Sequence, residues 1–298
     1  MEAININNKE YKFVIGNPKD DHYRRSFNAL TEKTFGFNFE QWYQSGYWTN
    51  QYLPYSFLDG ETVVANVSVN FMDIDVYGNK RKLIQVGTVM TDSAYRDQGL
   101  IRALLNKVIA DWQAKCEYLY LFANDSVLDF YPKFGFKALN QNQFTKTVIK
   151  KVKERSAIKL NMSDESNRVL VYQKANTSTS NSKISMIGNA ELVMFYCLSF
   201  MKDNLYYIEE FETVVVAHHE HDVLEVFGVF CTEGVPLDII LDYMANEDTN
   251  KVKLYFTPQD TDSYLITPLV GEGTLFILGE DPDLLRNTPF MFPTLSHA

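Results

Sequence analysis

Helix-type and strand-type hydrophobic patterns follow one another along the first half of the chain. Apolar residues recur every three or four positions over 20–35 and, most clearly, over Leu100–Trp112, which predicts two amphipathic helices. A further short helix is expected over Asp125–Lys133. Shorter apolar or alternating runs predict strands at Tyr11–Gly16, Tyr55–Leu58, Val63–Asp75, Lys82–Met90, Tyr118–Ala123 and Phe144–Ile149. Asp59-Gly60 and Gly78-Asn79 predict hairpin turns, so antiparallel hairpins precede a strand–helix–strand unit.

The second half of the chain repeats this order of elements. Helices are predicted over Ala190–Met201 and Leu237–Ala245, and strands at Leu205–Val216, Val223–Cys231, Val252–Thr257 and Thr274–Leu278. No repeat of individual residues accompanies the recurrence, so a coincidence of order is the alternative. We predict an α+β chain, α/β-like in its element order, with two units at residues 1–150 and 151–298. Each unit is expected to have a mixed central sheet with flanking helices.

The composition is that of an ordinary globular protein, with 46% hydrophobic and 22% charged residues in a chain of 298. No run of about 18 apolar residues occurs, and the N-terminus lacks the apolar segment of a signal peptide. Cys116, Cys197 and Cys231 are widely spaced, which indicates a reducing compartment rather than a disulfide framework. We therefore expect a cytoplasmic protein without a membrane partner.

The net charge of −10 lies almost entirely in the second half. Residues 1–150 carry 17 Lys and Arg against 16 Asp and Glu, whereas residues 151–298 carry 11 against 22. An acidic chain lacks the basic face that nucleic-acid binding requires, so no nucleic-acid partner is expected. The acidity either keeps the protein soluble or helps to attract a cationic substrate.

The clearest functional signal lies in the stretch Thr88–Phe136. A predicted strand ending at Met90 runs into the loop TDSAYRDQG, which opens directly onto the amphipathic helix that begins at Leu100. Unpaired amides and the helix dipole favour an anion at such an N-terminus. Gly99 allows close approach of the backbone to a ligand, and Arg96 adds a fixed positive charge. A pyrophosphate group suits this position.

The loop resembles the acetyl-CoA loop of the GNAT acetyltransferases, which reads Arg/Gln-x-x-Gly-x-Gly/Ala after a strand. The sequence here is Arg96-Asp97-Gln98-Gly99-Leu100-Ile101, in which Arg96 and Gly99 match and Ile101 departs from the usual Gly or Ala. A second match follows in order, at Phe130-Tyr131-Pro132-Lys133-Phe134-Gly135-Phe136. The resemblance covers roughly residues 1–150. The two-unit layout is similar to that of the enhanced intracellular survival acetyltransferases, with a second, degenerate GNAT-like unit.

The resemblance implies an N-acetyltransferase that uses acetyl-CoA as its co-substrate and acetylates an amine by direct attack on the thioester, with no metal. It also implies a set of cofactor contacts. These are Thr88, Val89 and Met90 for the pantetheine and acetyl carbonyl, Arg96, Asp97, Gln98, Gly99, Leu100 and Ile101 for the pyrophosphate, and Asn124 near the thioester.

Two catalytic roles follow from the same resemblance. Tyr131 would be the general acid that protonates the departing thiolate, since a pKa of about 10 keeps tyrosine protonated at neutral pH. The carboxylate of Ala298 is a candidate base, because the enhanced intracellular survival enzymes end inside their catalytic cavity. Glu32 and Glu40 are weaker candidates for the base.

Several alternatives stay open at this point. The acceptor is a small-molecule or peptide amine, expected to be cationic. A non-catalytic acyl-CoA-binding sensor or interaction module is the alternative function, favoured by Ile101 and by the lack of an evident base. The aromatic patch Phe35–Trp48 is either core or a wall of the acceptor pocket. His218, His219 and His221 favour a solvated turn over a metal site, because adjacent strand residues point to opposite faces.

Overall fold

The computed structural model describes residues 2–148, 157–178, 181–232, 234–279, 285 and 287–297. Within these residues the α-helices are α1 Asp21–Phe35, α2 Glu40–Gln44, α3 Leu100–Trp112, α4 Glu165–Thr177, α5 Ala190–Leu198 and α6 Leu237–Met244. The strands are β1 Glu2–Ile6, β2 Lys9–Ile15, β3 Tyr52–Asp59, β4 Thr62–Val76, β5 Asn79–Thr91, β6 Tyr118–Ala123, β7 Lys137–Leu139, β8 Asn142–Thr147, β9 Ile158–Lys159, β10 Ile184–Ile187, β11 Leu205–Ile208, β12 Thr213–Glu220, β13 Val223–Phe230, β14 Lys251–Leu254, β15 Leu265–Pro268 and β16 Thr274–Gly279.

The strands form two mixed sheets. The first has the order β1-β2-β3-β4-β5-β6-β16-β7, and β10 adds to the far end of β4. The second has the order β15-β8-β14-β13-β12-β11-β9. In each sheet the described pairs are antiparallel apart from one parallel pair, β5 with β6 and β13 with β14. Each parallel pair is joined by a helix, α3 or α6, as a parallel connection requires.

The two sheets exchange strands along the chain. β16, from the second half of the sequence, lies between β6 and β7 of the first sheet, with Phe276 opposite both Leu121 and Ala138. In return, β8 from the first half pairs with β14 and β15 of the second sheet. The division of the chain at residue 150 stays a prediction, and the completion of each sheet depends on both sides of it.

Helices cover both faces of the first sheet. On one face α3 buries Leu104 and Leu105, as its apolar stripe predicted. On the other face α1 buries Phe27 and Leu30; Asp20 caps its first turn through two backbone amides, and Gly36 ends it in the left-handed conformation. The aromatic patch supplies core, because its central side chains are 4–6% exposed. These are Phe39, Trp42 and Trp48.

The structure differs from the sequence prediction in several places. The run Leu205–Val216 is not one strand but the antiparallel pair β11 and β12, which reverses at Glu209–Glu212. Helix α4 was not predicted, since its buried residues Val171 and Lys174 make no apolar stripe. Strand β12 extends to Glu220, so the hairpin turn is only His221-Asp222 and not His218–Asp222. The short helix predicted over Asp125–Lys133 consists of 3₁₀ turns at Asp125–Val127 and Tyr131–Phe134. None of the helices in the described ranges has the length and apolarity needed to cross a membrane.

Candidate active site

A β-bulge interrupts β5 where the cofactor contacts were predicted. Ser68 of β4 faces Gly87, and Asn66 faces Met90, so two residues of β5, Thr88 and Val89, oppose a single residue of β4. Thr88 has a φ of 46°, a conformation that a β-branched residue rarely adopts. Such strain persists only where the surrounding structure holds it, and it is often found at functional sites.

A buried polar network holds the bulge. The Asn66 amide donates to Ser68 Oγ at 2.8 Å and to the Thr88 carbonyl at 2.9 Å, while its Oδ1 accepts from Ser56 Oγ at 2.8 Å. The Tyr52 hydroxyl lies 2.5 Å from Thr88 Oγ1. Asn66, Ser56 and Ser68 are fully buried, so these bonds are shielded from water and each lost partner is costly.

The parallel pair β5–β6 opens immediately beyond this region. Register pairing is limited to Leu83–Gln85 against Tyr118–Tyr120, although both strands continue further. The other edge of β6 is fully paired with β16. Backbone groups of β5 after Gln85 therefore face a gap on this side rather than a ladder partner among the described strands. A gap next to a bulge gives an extended ligand access to main-chain groups.

The N-terminus of α3 lies at the end of the following loop. Gly99, with a φ of 82°, is the N-cap, and no side chain caps the helix. The first amide bonded within the helix is that of Ala103, to the Gly99 carbonyl at 3.0 Å. No acidic residue occupies the first turn. The helix thus begins without a side-chain cap, an arrangement that favours an anion, and the anion site itself stays a prediction.

The hairpin β1–β2 fixes the loop from outside. Asn7 Nδ2 donates to the Gln98 carbonyl at 2.9 Å, and the Tyr11 hydroxyl donates to Gln98 Oε1 at 2.6 Å. Arg96 is exposed, and Asp97 has a φ of 61°, a tight turn that precedes the helix. Gln98 is therefore a positioning residue for the backbone, while the Arg96 guanidinium stays available to a ligand.

Tyr131 lies on the α3 face of the sheet and is 5% exposed. Its ring contacts those of Phe130, Phe136 and Phe276, with centroids 5.3–6.1 Å away. Among the described residues none hydrogen-bonds its hydroxyl, and burial raises its pKa to about 12. The phenol is consequently protonated throughout the neutral range, as a general acid must be.

One apolar cluster brings four of the twelve predicted site residues together. It contains Leu100 and Tyr131, and Val89 and Ile101 pack against it from partly buried positions. Ile101 thus directs its side chain into the core. Met90 lies on the opposite face, where Thr31 Oγ1 contacts its sulfur at 3.7 Å.

Among the described candidates, Asn124 and Glu40 are not part of this cluster. Asn124 follows β6 and is exposed at the start of a 3₁₀ turn. Ala298 lies outside the described residues. Of the weaker base candidates, Glu40 accepts bonds from Arg24, Asn28 and Gln44, and the bonds from Gln44 and then Arg24 lower its pKa. That carboxylate is poorly suited to accept a proton.

The C-terminal segment packs against β6 on the other face of the sheet. The sequence indicated this burial only through the apolar residues of the segment. The His297 ring stacks on Phe122, with centroids 3.5 Å apart. The Tyr196 hydroxyl donates to the His297 carbonyl at 2.6 Å. Burial lowers the pKa of His297 to about 3, so its imidazole is neutral at pH 7.

This burial predicts an acid-sensitive stability. The folded pKa of His297 lies below the unfolded value of about 6.5, so its contribution is present above pH 6.5 and falls as the pH drops towards 3. The free energy of unfolding should decrease by about 2 kcal/mol between pH 6.5 and 5 on this account. His297→Phe keeps the stacking and should remove that share of the pH dependence in urea titrations. The exposed His22→Phe is the control, and equal pH dependence in wild type and His297→Phe would contradict the assignment.

Comparison with known proteins bears on this arrangement. Residues 18–139 match the family model described as the GNAT acetyltransferase domain. The chain carries a GNAT acetyltransferase domain. This confirms the predicted family and the predicted acyltransferase, and acetyl-CoA is the co-substrate that GNAT acetyltransferases use. A search of curated proteins found no match to the sequence.

Solved structures share the fold over most of the chain. An Enterococcus faecalis protein, a probable N-acyltransferase, is 13% identical with a TM-score of 0.63, over 90% of this chain and 72% of that one. The GCN5-related N-acetyltransferase of Kribbella flavida is 13% identical with a TM-score of 0.56, over 90% and 70%. Eis1 of Mycobacterium abscessus is 11% identical with a TM-score of 0.52, over 89% and 72%. At these identities the likeness shows the fold, and it confirms the GNAT fold and the two-unit layout.

Sequence reasoning did not find the features that shape the gap between β5 and β6. The bulge at Thr88 and the network around Asn66 were both missed. A signal was present, because Asn66, Ser68 and Asn70 alternate with apolar residues in a strand that is otherwise buried on both faces. Such polar residues within a central strand indicate a satisfied network.

Proposed function

We propose that the GNAT domain transfers the acetyl group of acetyl-CoA to the primary amine of a cationic acceptor. The proposal depends chiefly on one observation: an uncapped helix N-terminus follows a bulged strand whose parallel neighbour has separated from it. Pyrophosphate oxygens would accept from the α3 amides and Arg96, and the pantetheine would run along the bulge at Thr88, Val89 and Met90.

Direct transfer requires two proton movements: the attacking amine loses a proton to a base, and the departing thiolate gains one from an acid. The amine nitrogen attacks the thioester carbonyl, the carbon–sulfur bond breaks, and the departing thiolate takes the proton of the Tyr131 hydroxyl. Burial and protonation of Tyr131, within the same cluster as Leu100, support this role. Asn124, at the end of β6, is proposed to lie near the thioester.

The base is assigned to the Ala298 carboxylate as a proposal. Its support is the neighbouring residue, since His297 is stacked on Phe122, two positions before Asn124 in the chain.

A cationic acceptor is supported by the charge of the second half, which has 22 acidic residues against 11 basic ones. These charges suit a small-molecule and a peptide acceptor equally, and we propose a cytoplasmic setting because Cys116, Cys197 and Cys231 form no disulfide among the described residues.

Calorimetry with acetyl-CoA, followed by thiol release against a panel of amines, tests the function. Arg96→Gln should weaken acetyl-CoA binding about 10-fold, since a charge-assisted phosphate contact is lost. Arg25→Gln, an exposed arginine on α1, is the matched control and should bind as wild type. Amine-dependent thiol release would establish the enzyme. Binding without release for every amine would favour the sensor, and unchanged binding by Arg96→Gln would contradict the pyrophosphate site.

A further inference from the structure

A cavity of about 680 Å³ lies away from the proposed acetyl-CoA site. It is enclosed by the end of α4, by β10 and its flanks, by the last half of β13 and by the C-terminal segment near Leu295. None of the residues proposed to hold acetyl-CoA lines it. Its volume is within the range of small-molecule sites, about 300–1,000 Å³.

The cavity exists because the second sheet repeats the two features that open the first. β13 pairs with β14 only over Val223–Val226, and the two chains then diverge. A bulge occurs at the same point, since Val216 faces Gly228 while Ala217 faces Val226. The residues beyond this bulge, Phe227–Phe230, line the cavity together with Phe256. The opening proposed to receive acetyl-CoA in the first sheet thus has a structural counterpart in the second.

The C-terminal segment fills part of this opening and leaves the rest. The Leu295 side chain packs directly over Gly228, where a Cβ would lie 2.8 Å from Leu295 Cδ1. The Thr294 amide donates to the Tyr255 carbonyl at 3.1 Å, which fixes the segment between the diverging strands. The remaining floor is apolar, with Val193, Phe227 and Phe256 buried beside the space.

The rim of the cavity is cationic. Lys80 and Lys183 line it together with one carboxylate, Asp75, which gives a formal charge of +1. Asp75 Oδ1 already accepts from the Gly78 amide at 2.7 Å. Within the described part of the chain neither lysine pairs with a carboxylate, and the Lys183 ammonium contacts Thr261 Oγ1 at 3.4 Å. Lys183 is half-buried, whereas Lys80 is exposed, so Lys183 is the stronger attraction for an anion.

We propose that this cavity is a second ligand site, for a small amphipathic anion. The apolar body of the ligand lies on the floor at Phe227 and Phe256, and its carboxylate, sulfonate or phosphate group pairs with Lys183. Ser185, which lines the cavity on β10, offers its hydroxyl to the same group. The site shares no residue with the proposed acetyl-CoA contacts.

Two fluorescent probes that differ only in a sulfonate test the proposal on the full chain. 1-Anilinonaphthalene-8-sulfonate should bind to wild type, and excess acetyl-CoA should leave that binding unchanged. Lys183→Met should lower the affinity for the sulfonate probe about 10-fold and leave the affinity for N-phenyl-1-naphthylamine, the neutral analogue, unchanged. The exposed Lys202→Met is the matched control and should bind both probes as wild type.

A filling variant locates the probe. Ser185→Trp places an indole in the cavity and should reduce the binding of both probes, with the near-ultraviolet spectrum used to verify folding. Three outcomes would overturn the site: displacement of the sulfonate probe by acetyl-CoA, equal weakening of both probes by Lys183→Met, or unchanged binding in a folded Ser185→Trp.

Discussion

Turnover of Tyr131→Phe is expected to fall by about 100-fold or more, while acetyl-CoA binds as tightly as to wild type. The substitution removes only the hydroxyl. The phenyl ring keeps its packing against Phe130, Phe136 and Phe276, so the wall of the site should be preserved. The departing thiolate would then have no proton donor on the protein. Steady-state kinetics of thiol release, combined with calorimetry of acetyl-CoA, separate the loss of turnover from a loss of binding.

The control is the same chemical change at another buried tyrosine. Tyr264 lies in the second half of the chain, is 8% exposed, and has a hydroxyl without a hydrogen-bond partner among the described residues. Tyr264→Phe should turn over as wild type. Because the pKa of Tyr131 is raised to about 12, its ionisation should not depress the wild-type rate between pH 7 and 10. Full activity of Tyr131→Phe would show that the thiolate is protonated by another group.

The second large effect is expected in stability. Asn66→Ala should lower the free energy of unfolding by about 2–4 kcal/mol, because three buried polar partners lose their bonds at once. These partners are Ser56 Oγ, Ser68 Oγ and the Thr88 carbonyl. Thr88 is held at a φ of 46° by this network, so the bulge should relax and acetyl-CoA binding should weaken as well.

Urea unfolding at constant m-value measures this loss. Asn106→Ala, at an exposed position of α3, is the matched control and should change stability by less than about 0.5 kcal/mol. An Asn66→Ala protein with wild-type stability would mean that water replaces the missing amide. Wild-type affinity for acetyl-CoA in a destabilised variant would show that the bulge does not depend on Asn66.

Periodic apolar residues were enough to predict most of the first unit. The stripe of Leu100, Leu104, Leu105 and Val108 placed α3 with its observed bounds, and the run Tyr118–Ala123 placed β6. Both elements bury one continuous set of side chains, so local sequence and tertiary packing agree there. Helix α4 lacks such a set and was missed.

The sequence by itself determined the family, and it was enough to predict the loop Arg96–Ile101 as an anion site and Tyr131 as the candidate acid, since these depend on short, contiguous patterns. Tertiary structure decided that β16 completes the first sheet, with Phe276 against Tyr131 although 145 positions separate them in the chain. It also decided the bulge at Thr88, its counterpart in β13, and the cavity beside it. Register and strand order arise from pairing between distant segments, and no local pattern encodes which edge a strand will join.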